Sequence, residues 1–469
     1  MAEPIGPTLW TRTIHRRLTV VGLLVVVWAA AVETQLVRLQ VYQHERMKSE
    51  ARDQQEQFET VPARRGEIVD RHGHVLALSV DTDSIWGSRS KLGDIPTAVA
   101  KICEALGDCS PEDQSTIVAR LRKKSFALIR QSVSPRQARR VAELGLEGVE
   151  FQRRPRRFYP NRELAANVLG FVGTDGSGLE GLEATYDRET RGRDGRLLVL
   201  FDGKRHTFSQ VGEVPVPGAS LELTIDWYLQ HVAERELAIA VAEHQADGGS
   251  VVIVDPATGE ILAMASVPTF NPNVFAKASK PQRRNRAVQD ILEPGSTFKM
   301  ITATAALEEK VVAPDTIIDT GNGVLRMGQR TVHDTHAHGA IPFTDVIVLS
   351  SNIGSIKVGW RLGAERLAKH IRGFGFGSKL SPDFPGENAG LLTNPAGWTE
   401  GSGLASVSMG YEIGVTPLQM AAAVSAIANG GELIQPRIVR AFIEGRSRKA
   451  VQRKVLRRIL SPSTAAELT

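Results

Sequence analysis

Ser296 and Lys299, in the stretch ILEPGSTFKM, place a hydroxyl and an amine three residues apart, the pairing a chain needs to make and break acyl bonds. The run STFKMITATAALEEK, from Ser296 to Lys310, contains no helix breaker and carries apolar residues at Phe298, Ile301, Ala305 and Leu307. That spacing predicts a helix beginning near Ser296. On a helix, positions i and i+3 share a face, so the lysine amine can reach the serine hydroxyl. A lysine accepts a proton only when neutral, and burial and the positive end of a helix dipole both lower its pKa. The pair is then an activated nucleophile. Serine is also a favoured N-cap, and Ser88 and Lys91 in SRSK repeat the spacing in a polar segment with no periodic apolar run behind it. Spacing alone does not separate a nucleophile from a capped helix start.

A second constellation narrows the chemistry. Ser350 and Asn352, in VLSSNIGSIK, lie between two helical runs. S-x-x-K and S-x-N together are two of the three elements of the penicillin-recognising acyltransferases. Other candidates have blander readings. RGFGFG at 372 to 377 follows a helix rather than a strand and reads as a C-cap and turn, and GTDGSG at 173 to 178 lacks the Lys-Ser/Thr of a phosphate loop. His333, Asp334, His336 and His338 in VHDTHAHG match no closed zinc spacing. They are read as a polar loop with solvated histidines, and no metal or cofactor is expected.

These residues need a scaffold, and 469 residues suffice for roughly three domains. With 42% hydrophobic and 23% charged residues, the composition is that of globular protein. The net charge of +5 comes partly from RRPRR and RSRKAVQRKVLRR, which lack the interleaved aromatics of a nucleic-acid groove. Arg12, Arg16 and Arg17 precede the uncharged run LTVVGLLVVVWAAAV. The helical spacing continues through Val32, Leu36 and Leu39, which favours an uncleaved membrane anchor over a signal peptide ending at the A-x-A of Ala29 and Ala31. Arginines before the span place the N-terminus in the cytoplasm and the bulk outside it. Cys103 and Cys109 flank a Gly-Asp turn, and a small disulfide loop and a pair of reduced thiols both fit. VYQHERMKSEARDQQEQFET reads as a helical stalk, and VPARRGEIVDRHGHVLALSV as strand, turn at Arg71 to Gly73, and strand. LELTID is a strand, WYLQHVAERELAIAVAEH a helix and SVVIVDPATGEILAMAS a hairpin.

Taken together, the segments resemble a class B penicillin-binding protein, and most of all the septal, cell-division type of peptidoglycan D,D-transpeptidase. RGEIVDRHGHVLA, RFYPNRELAANVLGFVG and GLEGLEATYD are similar to the family's pedestal module. LTIDWYLQ, VDPATGEILAMASVPTFNPN, NRAVQDILEPGSTFK, SSNIGSIK and GYEIGVTPLQMAAAVSAIANGG are similar to its catalytic domain. The SSN form favours the septal over the elongation group, which typically carries aspartate at the third position. The resemblance implies an α+β multidomain chain: a cytoplasmic tail (1–17), a transmembrane anchor helix (18–40), a stalk (41–60), a pedestal of the dimerisation type (61–215) and a penicillin-binding, serine β-lactamase-like transpeptidase domain (216–469) with helices on an antiparallel sheet.

The resemblance also implies roles. Ser296 attacks the penultimate D-alanine carbonyl of a stem peptide, Lys299 takes its proton, Ser350 relays a proton to the departing D-alanine, and Asn352 holds the peptide amide and orients Lys299. The implied partners are stem peptides as donor and amine acceptor, β-lactams, the membrane, a polytopic peptidoglycan glycosyltransferase and other division proteins, with no nucleic acid. The implied location is the bacterial cytoplasmic membrane, crossed once. No Lys-Ser/Thr-Gly occurs in the sequence, so the resemblance implies a transpeptidase domain that stops before its third motif. Competing readings are an elongation-type enzyme, a class D β-lactamase or β-lactam sensor, in which STFK also occurs, and a non-catalytic division scaffold.

Overall fold

The computed structural model describes residues 8–201 and 207–469. Of the expected tail 1–17, residues 1–7 lie outside the described residues, as do 202–206 of the expected pedestal. The chain forms two compact units, residues 1–62 with 194–215, and residues 63–193 with 216–469.

In the first unit a helix spans Thr8–Val37 and passes through a π-helical turn, Arg38–Tyr42, into a helix at His44–Gln55. The helical stretch Ile14–Tyr42, whose most apolar 18 residues reach a mean hydropathy of 2.1 with none of them buried, is 29 residues long. At 1.5 Å per residue this exceeds the roughly 30 Å of a bilayer's hydrocarbon core, and an unburied apolar helix of that length suits a membrane anchor. The polar stretch 41–60, read as helical, is helical only to Gln55; Glu56–Val61 is a strand paired antiparallel with Gly195–Phe201, which pairs in turn with Thr207–Glu213. The strand propensity of Phe58, Thr60 and Val61 is satisfied only when a partner from beyond residue 190 supplies the ladder.

The second unit is built on a seven-stranded sheet that mixes early and late segments. Its order is Ser447–Ala450, Val439–Glu444, Ser220–Leu223, Ile68–Val69, Val75–Ser88 and Phe126–Val133, with Val149–Phe158 also pairing Val75–Ser88. Beside it, the pedestal-like motifs meet in one buried ion cluster. Glu183, fully buried, accepts from Arg65 Nε and Arg157 Nε at 2.6 Å each and from the Tyr159 hydroxyl at 3.2 Å. Arg65 also pairs with Asp187 at 2.5 Å. Buried charges survive only when paired and hydrogen-bonded, which explains why RRGE, RFY and GLEA belong together. Farther along, helices Ile95–Leu106 and Pro111–Lys123 cover Phe126–Val133 through Val99, Ile102, Ile117, Leu121 and Ile129. Cys103 and Cys109 are joined as a disulfide, Cα atoms 5.2 Å apart.

The hairpin Gly249–Val254 and Ile261–Val267 forms around the D-P-A-T-G turn. Alternation gives it two apolar faces: Val251, Ile253, Ala263 and Ala265 pack on Leu229, Ala233 and Leu237 of the helix Trp227–Glu243, while Val252, Val254 and Met264 join Val288 and Leu418. The helix Lys299–Glu308 is buried on every side, with Ile301 and Ala305 in one cluster and Ala303, Ala306 and Leu307 in another. It is a central helix, so a polar side chain on it is held away from water. RGFGFG ends the helix Ala364–Gly373 and continues into a turn, and GTDGSG connects the short strands Phe171–Val172 and Gly178–Glu180.

Candidate active site

Ser296 lies in a 3₁₀ turn, Gly295–Phe298, that runs straight into the central helix. It is exposed, whereas Phe298 and Lys299 are buried, Lys299 to 2% exposure. Pro294 occupies the cap position, and no side chain caps either the turn or the helix. Ser296 is therefore not an N-cap. Its loop is clamped from outside: Leu292 and Val415 exchange backbone hydrogen bonds at 3.0 and 2.9 Å, Gly295 N donates to Gly410 O at 3.0 Å, and Glu412 N donates to Glu293 Oε1 at 2.8 Å. Gly410 has to be glycine, since φ is +86° and a Cβ would sit 2.1 Å from the Gly295 carbonyl oxygen. Ser88 and Lys91, at the same spacing, are placed differently. Ser88 ends a strand and the exposed Lys91 lies in the turn after it.

Lys299 does not hydrogen-bond Ser296. Its Nζ donates to the Ser350 carbonyl at 2.6 Å, Ser350 Oγ at 3.0 Å and Asn352 Oδ1 at 2.8 Å. The two motifs found in the sequence thus meet at one amine, one helical turn behind the exposed serine. Burial lowers the Lys299 pKa to about 8, and the nearby Asp334 carboxylate opposes that fall. Ser350 lies in the connection between the helices Phe343–Val348 and Asn352–Leu362 and takes φ +54°, a left-handed conformation uncommon for a residue with a Cβ. That conformation turns both its carbonyl and its hydroxyl toward Lys299.

The loop VHDTHAHG is not simply solvated. Asp334 Oδ2 accepts from Ser351 Oγ at 2.6 Å, and its Oδ1 accepts from the backbone N–H of Asn352 and Ile353 at 2.6 and 3.0 Å. A carboxylate at a helix N-terminus meets both the unpaired N–H groups and the positive end of the dipole. His333 O accepts from Asn352 Nδ2 at 2.9 Å, which fixes the amide with its oxygen toward Lys299. Sequence reasoning missed Asp334, and no local signal marks it, because its partners lie 17 to 19 residues away. Among the described residues no group of three or more His, Cys, Asp or Glu could hold a metal ion.

A buried lysine with a lowered pKa, an exposed uncapped serine on the same turn, and a Ser-Asn pair gripping the amine form an acylating site. Comparison with known proteins agrees. Residues 249–469 match the penicillin binding protein transpeptidase domain and residues 60–223 the penicillin-binding protein dimerisation domain. The probable peptidoglycan D,D-transpeptidase PbpC of Pseudomonas aeruginosa is 33% identical over 448 residues, 94% of this chain and 78% of that one. The chain belongs to the penicillin-binding transpeptidases. The family member FtsI of Escherichia coli, a peptidoglycan D,D-transpeptidase, is 32% identical over 79% of this chain and 63% of its own. Among solved structures, penicillin binding protein 3 of Mycobacterium tuberculosis, complexed with aztreonam, is 29% identical with a TM-score of 0.64, covering 87% of this chain and 74% of that one.

Proposed function

We propose that this penicillin-binding transpeptidase cross-links peptidoglycan stem peptides through an ester on Ser296. The observation that carries the reading is the Lys299 amine, buried and gripped by Ser350 and Asn352 immediately behind the exposed serine. A neutral amine has two N–H bonds and one lone pair. The Ser350 carbonyl and Asn352 Oδ1 can only accept, so they take the two N–H groups, and the lone pair is left to accept from a hydroxyl. Ser296 Oγ attacks the penultimate D-alanine carbonyl while its proton passes to Lys299. The amide C–N bond breaks, and the terminal D-alanine leaves as an amine protonated from Lys299 through Ser350 Oγ. An amine from a second stem peptide then attacks the ester carbonyl, its proton returns by the same route, and the Ser296 hydroxyl is regenerated. The Ser296 N–H, in the first turn before the helix, is an oxyanion donor. A β-lactam follows the first half of this path, but its leaving nitrogen stays tethered.

Around this site we assign residues 1–17 as a cytoplasmic tail, 18–40 as the anchor, 41–60 as the stalk, 61–215 as the pedestal and 216–469 as the transpeptidase domain, lying outside the cytoplasmic membrane. The arginines before Leu18 support that orientation. The SSN form at 350–352 supports a septal role, with a polytopic glycosyltransferase and division proteins as partners of the pedestal. One experiment tests site, topology and place together. A membrane-impermeant fluorescent penicillin applied to intact spheroplasts, followed by peptide mapping, labels Ser296, and in dividing cells the label concentrates at midcell. Undiminished label in Ser296→Ala refutes the site, and label that appears only after permeabilisation refutes the topology.

A further inference from the structure

We infer that the β-hairpin Val324–Met327 and Arg330–His333, with Asp334 directly after it, is a brace that sets the spacing between the two halves of the site. Arg330 holds the nucleophile's loop, and Asp334 holds the Ser350–Asn352 turn. The inference rests on the reading of Ser296 and Lys299 given above. The hairpin alternates, with Leu325 opposite Val332 and Met327 opposite Arg330. Leu325, Met327 and Val332 pack on Ile356, Trp360, Ala405 and Met409, so Arg330 shares the inward-facing side. There its Nη1 donates to Ser406 Oγ at 2.6 Å, and Ser406 Oγ donates to Glu412 Oε1 at 2.7 Å. Glu412, at φ +57°, donates its backbone N–H to Glu293 Oε1, three residues before the nucleophile. At the other end of the same strand, His333 O and the Asp334 carboxylate hold Ser351, Asn352 and Ile353.

One short strand thus anchors the loop carrying Ser296 and the turn gripping Lys299. A two-stranded hairpin is marginal by itself, so these anchors and the apolar face hold its shape, and the hairpin passes that rigidity from one half to the other. Neither Arg330 nor Asp334 touches a reacting atom in the proposed reaction. They are positioning residues. Removing Asp334's charge weakens the charge-assisted bonds from two helix N–H groups and replaces the oxygen that accepts from Ser351 Oγ, and removing Arg330's guanidinium frees Ser406 and Glu412 to turn, releasing Glu293.

The test uses the full chain in detergent micelles with a fluorescent penicillin at graded concentrations, which separates binding from acylation. Arg330→Gln and Asp334→Asn each lower the acylation rate constant about ten-fold or more, with binding little changed, and Arg330→Lys recovers part of the loss. Asp334→Asn also moves the midpoint of the pH profile downward. The titratable group bearing on Lys299 is Asp334, its direct partners Ser350 and Asn352 being uncharged, and loss of that carboxylate makes the ammonium less favourable. A merely structural loss would not move the midpoint. If Asp334→Asn does not fold, Ser351→Ala, which removes one of the three bonds to that carboxylate, carries the rate comparison. Folded variants that acylate at the wild-type rate with an unmoved midpoint overturn the brace, while wild-type label absent from Ser296 overturns the underlying reading instead.

Discussion

If Lys299 is the base, acylation follows its deprotonation, and the pH profile measures its surroundings. The amine's ordinary pKa of 10.5 falls to about 8 through burial. At pH 7 about one molecule in ten then carries a neutral amine, against roughly one in three thousand without the shift, a gain of about 300-fold in competent enzyme. The sign follows from the role: a base works deprotonated, so the rate rises with pH through the folded pKa and levels above it. Between pH 6 and pH 9 the second-order rate constant for a penicillin should rise about 90-fold, with unit slope on the acid limb. Stopped-flow acylation at fixed ionic strength, with folding checked at each pH, measures it. A midpoint near 6.5 would point to a histidine rather than a lysine. A rate still climbing at pH 10 would mean an unshifted lysine, and either result refutes the argument from burial. Lys299→Arg, which keeps the charge but does not deprotonate, should lose acylation almost entirely, because nucleophile and base act as one unit.

Two further expectations test the scaffold. Gly410→Ala and Gly73→Ala both put alanine at a left-handed φ, +86° and +88°, but only at Gly410 does the new Cβ meet anything, the Gly295 carbonyl oxygen at 2.1 Å. Each should cost about 1 kcal/mol or more in denaturant unfolding. Gly410→Ala alone should slow acylation by ten-fold or more by displacing Ser296, and equal acylation in the two variants would show that the loop is not held from Gly410. Glu183→Gln removes the carboxylate shared by two buried guanidiniums, Arg65 and Arg157, and should cost about 3–5 kcal/mol. A midpoint of denaturation unchanged from wild type would mean that water or Asp187 compensates.

Local order in the chain was legible because it depends on neighbours. The turn into the helix after Ser296, the hairpin around D-P-A-T-G and the long apolar N-terminal helix follow from periodicity and turn chemistry within a few residues. The pairing of S-x-x-K with S-x-N was legible as a motif, but its geometry was not. Sequence spacing pointed Lys299 at Ser296, three residues away; the folded chain points it at Ser350 and Asn352, 51 and 53 residues on. That arrangement depends on the left-handed turn at Ser350, near a residue, Asn352, that Asp334 and His333 hold in place. Burial, and with it the lowered pKa, likewise required both apolar clusters to close around the central helix. The same reason separates the polar loop of sequence reading from the anchoring Asp334 of the structure, and leaves Arg65 to find Glu183 118 residues later. Periodicity states which face of an element is buried, but which distant group meets a buried charge is decided only when the elements pack, because the energy of that charge lies in its partner.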